Sequence, residues 1–331
     1  MASSQMSSII RTISKHRSFI MACAIIGVML FHAPHNYIEY ASQHFFTRFG
    51  RWGVELFLFV SGFGIYYSLT NNNNQTSFYI KRIIRIMPAA IIAGWLIYFI
   101  GSGKPDSLLG LNFWYIRTIL IFYFFSPLLI RIVHARHSLT KIMAICVICY
   151  LLSVGTEYVF DSRIPRFFIF TASWSLERLP AYLMGMWIAS RGRTPEEEKN
   201  NATFLKPVGI MCLSAAIMLR TGYDYKIITS EHVLDIAYLL LGISTPFICQ
   251  ILCKVAEHLP VYLYRFMSWL GGITLELYVI HEFLYKQALL YLSESPRTAI
   301  SIAIAFSILS AAILHVSINC VFKKLQNRAK Y

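Results

Sequence analysis

The chain has 331 residues, 56% of them hydrophobic and only 14% charged, with a mean hydropathy of +0.55. Soluble domains carry about 25% charge, so water is not the main solvent of this one. The formal charge of +14 would suit nucleic acid only if it formed a basic face on a soluble fold. Here the basic residues punctuate hydrophobic segments instead, which excludes nucleic acid as a partner and points to membrane orientation. The cysteines (Cys23, Cys146, Cys149, Cys212, Cys249, Cys253, Cys320) all fall in apolar runs, where a thiol behaves as a small hydrophobe, and no disulfide framework is expected.

Crossing a ~30 Å hydrocarbon core takes roughly 20 helical residues. In chain order, apolar segments at 18–37, 52–70, 83–101, 113–133, 141–160, 173–190, 206–220, 233–253, 266–285 and 299–322 predict an all-α, polytopic bundle of about ten transmembrane helices. They leave room for one membrane-embedded domain over 1–331, with a basic N-terminal segment at 1–17 and a basic tail at 323–331. The first span is too long for a signal peptide, lacks a small-residue cleavage site and follows Arg11, Lys15 and Arg17, so it reads as a retained signal anchor. Glu177 and Arg178 interrupt the sixth, and the seventh is short. An even number of spans places both termini on one side. With that side cytoplasmic, inner segments hold 19 of the 30 Lys and Arg residues and outer segments nine, with Arg117 and Arg178 inside spans, as the positive-inside rule requires. The sequons at Asn74 and Asn201 then face the cytoplasm.

Ionisable groups within membrane helices cost roughly 2.5–3.5 kcal/mol on insertion scales, so each is a functional candidate. His32 late in the first span, Glu55 early in the second, Trp114 and Arg117 early in the fourth, Glu177 and Arg178 early in the sixth, and His281 and Glu282 late in the ninth all belong to the outer half. If the first two helices form a hairpin, His32 and Glu55 reach similar depth and can pair, the carboxylate orienting an imidazole that removes a proton from a hydroxyl. Two structural polar residues near the headgroups would show the same spacing. On the inner side, Arg82 and Arg85 share a helix face beside Lys81, an arrangement that suits bidentate phosphate recognition or anionic lipid. Cys146 and Cys149 lie mid-span without a second pair, and no metal is expected. Gly62, Gly271 and Gly272 read as close helix contacts.

These residues stand in stretches that together resemble the acyltransferase-3 family of membrane acyltransferases: Ala24 to His32, Gly53 to Phe63, Phe78 to Pro88, Asn112 to Ile116 and Leu275 to His281, in that order. The resemblance implies a ten-helix bundle that takes acyl-CoA, acetyl-CoA above all, from the cytoplasm and acylates a carbohydrate hydroxyl on the far side of a bacterial inner membrane. It makes His32 the essential histidine, Glu55 the acidic residue before Ser-Gly-Phe, and Arg82 and Arg85 the pair on the CoA phosphates. One position departs. Met21 stands where the resemblance implies Arg or Lys, and Arg17, one turn nearer the cytoplasm, is the candidate replacement.

The expectation is therefore an O-acetyltransferase with His32 and Glu55 catalytic, and with Arg17, Lys81, Arg82 and Arg85 on the donor. Trp114, Tyr115, Arg117, Glu177, Arg178 and His281 would shape the acceptor site. Expected partners are acyl-CoA, a glycan or lipid-linked sugar and membrane lipids, with a second copy of the chain left open. A polyprenyl-linked sugar flippase, or a non-catalytic subunit of a glycan-synthesis complex, would also carry polar groups inside ten helices.

Overall fold

The computed structural model describes residues 8–32, 50, 52–71, 74–102, 105–159, 166–191, 195–230, 232–291 and 296–328. Among them the chain forms twelve α-helices and no strand. These are α1 (Ser8–Lys15), α2 (Arg17–His32), α3 (Trp52–Thr70), α4 (Gln75–Ile97), α5 (Trp114–His134), α6 (Ser138–Val159), α7 (Arg166–Ser190), α8 (Pro195–Asp224), α9 (His232–His258), α10 (Val261–Gly272), α11 (Thr274–Tyr291) and α12 (Pro296–Arg328). Helices α2 to α9 fall on the first eight expected segments and α12 on the tenth; positions 33–37 of the first and 160 of the fifth lie outside the described residues.

One expectation needs correction. The ninth segment is not one helix but two, α10 and α11, broken at Ile273. The break follows Gly271-Gly272, a poor helical pair. Gly271 lies so close to α2 that a Cβ there would sit 1.8 Å from the Ser18 carbonyl oxygen. Within the basic N-terminal segment 1–17, Ser8–Lys15 form an amphipathic helix, with Ile10 and Ile13 buried and Arg11 and Lys15 exposed.

Among the described residues, seven helices are long and apolar enough on their own to cross a bilayer, and α1 with α2, bent by 64°, would make an eighth. α7 and α11 are more polar for a physical reason: they run through the inside of the bundle and need not match lipid. Ala181 to Ala189 of α7 and Leu277 to His281 of α11 are almost continuously buried. Glu177 and Arg178, which interrupt the apolar run, lie in this interior helix.

Glycines set the register at the centre. On α3, a Cβ at Gly62 would lie 2.2 Å from the Tyr182 carbonyl oxygen of α7, and one at Gly185 would lie 2.1 Å from that of Phe59. The two helices therefore meet backbone to backbone, the small-residue contact of membrane bundles. Against α2, Gly53 touches Ala24 and Gly50 touches Gly27, so α2 and α3 run antiparallel.

Candidate active site

The sequence-selected residues gather into three places. The first is a cavity of about 560 Å³ at the arginine-rich end, lined by Arg17 and Met21 of α2, Lys81, Arg82 and Arg85 of α4, and residues of α3, α5, α11 and α12. Its size falls in the range of ligand pockets. Arg82 stacks against the rings of Phe78 (5.5 Å) and Tyr123 (5.7 Å), and Tyr123 is held by a 2.9 Å hydrogen bond to Ser61. Arg82 Nε is buried without a hydrogen-bond partner among the described residues, as a guanidinium positioned for an external anion would be. Arg17 lies within 3.1 Å of where a Cβ of Gly64 would stand, so a glycine there makes room for its guanidinium. Met21 and Arg17 line the same space.

The cavity ends among rings: Phe57, Tyr115 and Tyr278 line it, with Tyr115 and Tyr278 centroids 5.0 Å apart. Behind Tyr278 lies the second place, an imidazole pair. His32 Nδ1 and His281 Nε2 are 2.8 Å apart, and His281 Nδ1 is 2.9 Å from the Leu277 carbonyl oxygen. A carbonyl only accepts, so His281 Nδ1 carries the proton and, in the neutral ring, its Nε2 is an acceptor. His32 must then donate from Nδ1, and its Nε2 carries the lone pair of a base. Tyr285, one turn beyond His281, packs edge-on against it at 5.8 Å. The buried Tyr285 hydroxyl has no hydrogen-bond partner among the described residues.

The third place is a buried charge cluster. Arg178 Nε is 3.6 Å from Glu55 Oε1, and its Nη1 is 3.0 Å from Glu177 Oε2. The guanidinium stacks on Trp114 (4.8 Å) and Tyr238 (5.3 Å), and Trp114 meets Trp174 edge-on. Ser153 and Ser173 donate to Glu177 Oε1. The register that joins Gly62 to Tyr182 also places Arg178 beside Glu55.

The expected His32–Glu55 pair is thus replaced by two others, His32 with His281 and Glu55 with Arg178. The reason is register. With Gly53 seated on Ala24, Glu55 lies level with the region of Ala22, about 15 Å of helix rise below His32. Equal distance from a loop in sequence did not mean equal depth. Arg117 donates through Nη1 to the Leu111 carbonyl, in the turn that leads into α5.

The sequence reading also missed a cluster that lines the same cavity as the arginines. His315 Nδ1 is 2.9 Å from Glu276 Oε1, and Asn319 Nδ2 is 2.9 Å from His315 Nε2. Glu276 lies in a stretch singled out for its likeness, and His315 and Asn319 are one helical turn apart on α12. Nothing in sequence spacing links residues on two different helices.

Fold and site together define a multi-pass membrane protein with a substrate-sized cavity that carries a cluster of cations and, near its ring-lined end, an imidazole pair. A family model described as an acyltransferase domain matches residues 20–316. The chain belongs to this family, acyltransferase-3, and is a membrane acyltransferase. Comparison with curated proteins and with solved structures found no match.

Proposed function

We propose that the chain transfers an acyl group, most simply acetyl, from cytoplasmic acyl-CoA to a hydroxyl of a cell-surface or lipid-linked glycan across a bacterial inner membrane. The observation that carries this reading is that Arg17, Lys81, Arg82 and Arg85 line one cavity. Four cations around a single space suit the nucleotide phosphates of CoA, with bidentate contacts from the arginines. The aromatic far end suits the thioester. Eleven residues of α2 separate Met21 from His32, about 16 Å of rise, a span for an extended pantetheine arm.

In this reading His32 Nε2 removes the proton of the acceptor hydroxyl. The oxygen bonds to the thioester carbonyl carbon, the C–S bond breaks, and the departing thiolate takes the proton from the imidazolium. Free CoA and the acyl ester result. The Tyr285 hydroxyl offers a hydrogen bond to a developing negative oxygen. His32 Nε2 could instead accept the acyl group first; mass spectrometry of the protein incubated with donor alone detects such an acyl-histidine.

Purified protein in lipid, supplied with labelled acetyl-CoA and a glycan acceptor, tests the reading. His32→Ala should abolish transfer while CoA binding, followed by calorimetry, stays at wild-type strength. Arg82→Ala with Arg85→Ala should raise the KM for acetyl-CoA by about a hundredfold, as expected for two charge-assisted contacts of roughly 1.5 kcal/mol each. Transfer by His32→Ala at the wild-type rate overturns the assignment of the base.

A further inference from the structure

We infer that Glu276, His315 and Asn319 form a recognition rung for the amide and hydroxyl groups of the donor's pantetheine arm. The inference rests on the acyl-CoA reading and adds a second wall to the same cavity. All three residues line it, and none belongs to the cationic set.

Atom assignments fix what the rung can offer. An amide nitrogen only donates, so Asn319 Nδ2, 2.9 Å from His315 Nε2, gives its hydrogen to that ring nitrogen. The imidazole proton then sits on Nδ1 and is donated to Glu276 Oε1 at 2.9 Å. Both ring nitrogens are spent inside the cluster, and His315 acts as a strut between a carboxylate on α11 and a carboxamide on α12. The capacity not spent within the cluster is an N–H and the Oδ1 of Asn319, together with Glu276 Oε2. Two acceptors and one donor complement a secondary amide or a hydroxyl. They do not complement a phosphate, which the Glu276 carboxylate would repel.

Position agrees with chemistry. Glu276 is buried two residues before Tyr278, at the ring-lined end of the cavity, and five residues before His281, about 7.5 Å of helix rise. His315 is eight residues inside Lys323 on α12, about 12 Å from that basic end. The rung therefore stands between the arginines and the imidazole pair, along the stretch an arm must cross to bring its thioester to His32. Because the strut bridges two helices, the rung also fixes the α11–α12 spacing on one side of the path.

Donor truncation tests this. His315→Ala and Asn319→Ala, made singly, should each raise the KM for acetyl-CoA and for acetyl-pantetheine by the same factor, roughly fivefold to twentyfold for one or two lost hydrogen bonds. Binding of adenosine 3′,5′-bisphosphate, which lacks the arm, should stay at wild-type strength in both variants and so report an intact fold. Arg82→Ala should behave in the opposite way, weakening the bisphosphate and leaving acetyl-pantetheine unaffected. If the rung variants weaken the bisphosphate as much as acetyl-CoA, or leave acetyl-pantetheine unaffected, the rung does not read the arm and the inference is overturned. Wild-type protein that binds none of the three ligands overturns the donor reading itself.

Discussion

At the scale of single residues, the hydrogen bond from His32 to His281 is the feature with the most direct chemical consequence. It fixes the tautomer of His32 through a second imidazole that a backbone carbonyl holds in turn. His281→Asn should lower kcat about 10- to 100-fold, the loss typical when the group orienting a reactive imidazole is removed. The KM for acetyl-CoA should stay within about twofold, and a rise in KM matching the fall in kcat would speak for a purely structural role. Arg17→Met should raise that KM about tenfold, the effect of one lost charge-assisted contact. Met21→Arg added to Arg17→Met should recover part of the loss, since both positions line the cavity; steady-state kinetics on the single and double variants decides it. Individual residue types were legible in the sequence because charge and imidazole are costly inside a bilayer. Their pairing was not, since it depends on helix register. His32 and Glu55 looked level only because each stands a few residues from the same loop.

At the scale of helices, the centre of the bundle depends on the contact between α3 and α7, where Gly62 and Gly185 each face the other helix's backbone. Neither site has room for a methyl group. Gly62→Ala and Gly185→Ala should each destabilise the protein by about 1–3 kcal/mol, the usual cost of overpacking. The double variant should lose less than the sum, because the first methyl already parts the helices; thermal unfolding in detergent measures this. Parting them would also separate Glu55 from Arg178, and an uncompensated buried charge is costly. The sequence marked Gly62 and Gly271 as close contacts, and both are. Gly272 instead lines the cavity. The break at Ile273 escaped the hydropathy reading because the residues on both sides are equally apolar. The helix α1 escaped it because a single buried stripe of Ile10 and Ile13 is too short to register as a span.

For the molecule as a whole, hydrophobic composition carried the helical bundle and the bias of basic residues carried its proposed polarity. Both ends of the chain are then expected in the cytoplasm. A fluorescent protein fused to either terminus should fold and fluoresce, and alkaline phosphatase at the same places should be inactive; the reverse at either end would contradict the orientation. What composition could not convey is that the basic end opens into a cavity, since that requires α2, α4, α11 and α12 to stand around a common space.

If the proposed reaction runs across the membrane, the two tyrosines at the head of that cavity bear on the cell's energy supply. A membrane held at 100 mV stores about 2.3 kcal/mol for each charge that crosses it. A titratable imidazole reached by water from both faces would be a short circuit for protons. Tyr115 and Tyr278, packed 5.0 Å apart between the cavity and the histidines, stand where a valve is needed. In the proposed reaction, rings at that position would close on a slender chain and interrupt a continuous file of water. In the proposed reaction the energetic demand is therefore twofold: to pass an acyl group across, and to do so without discharging the membrane.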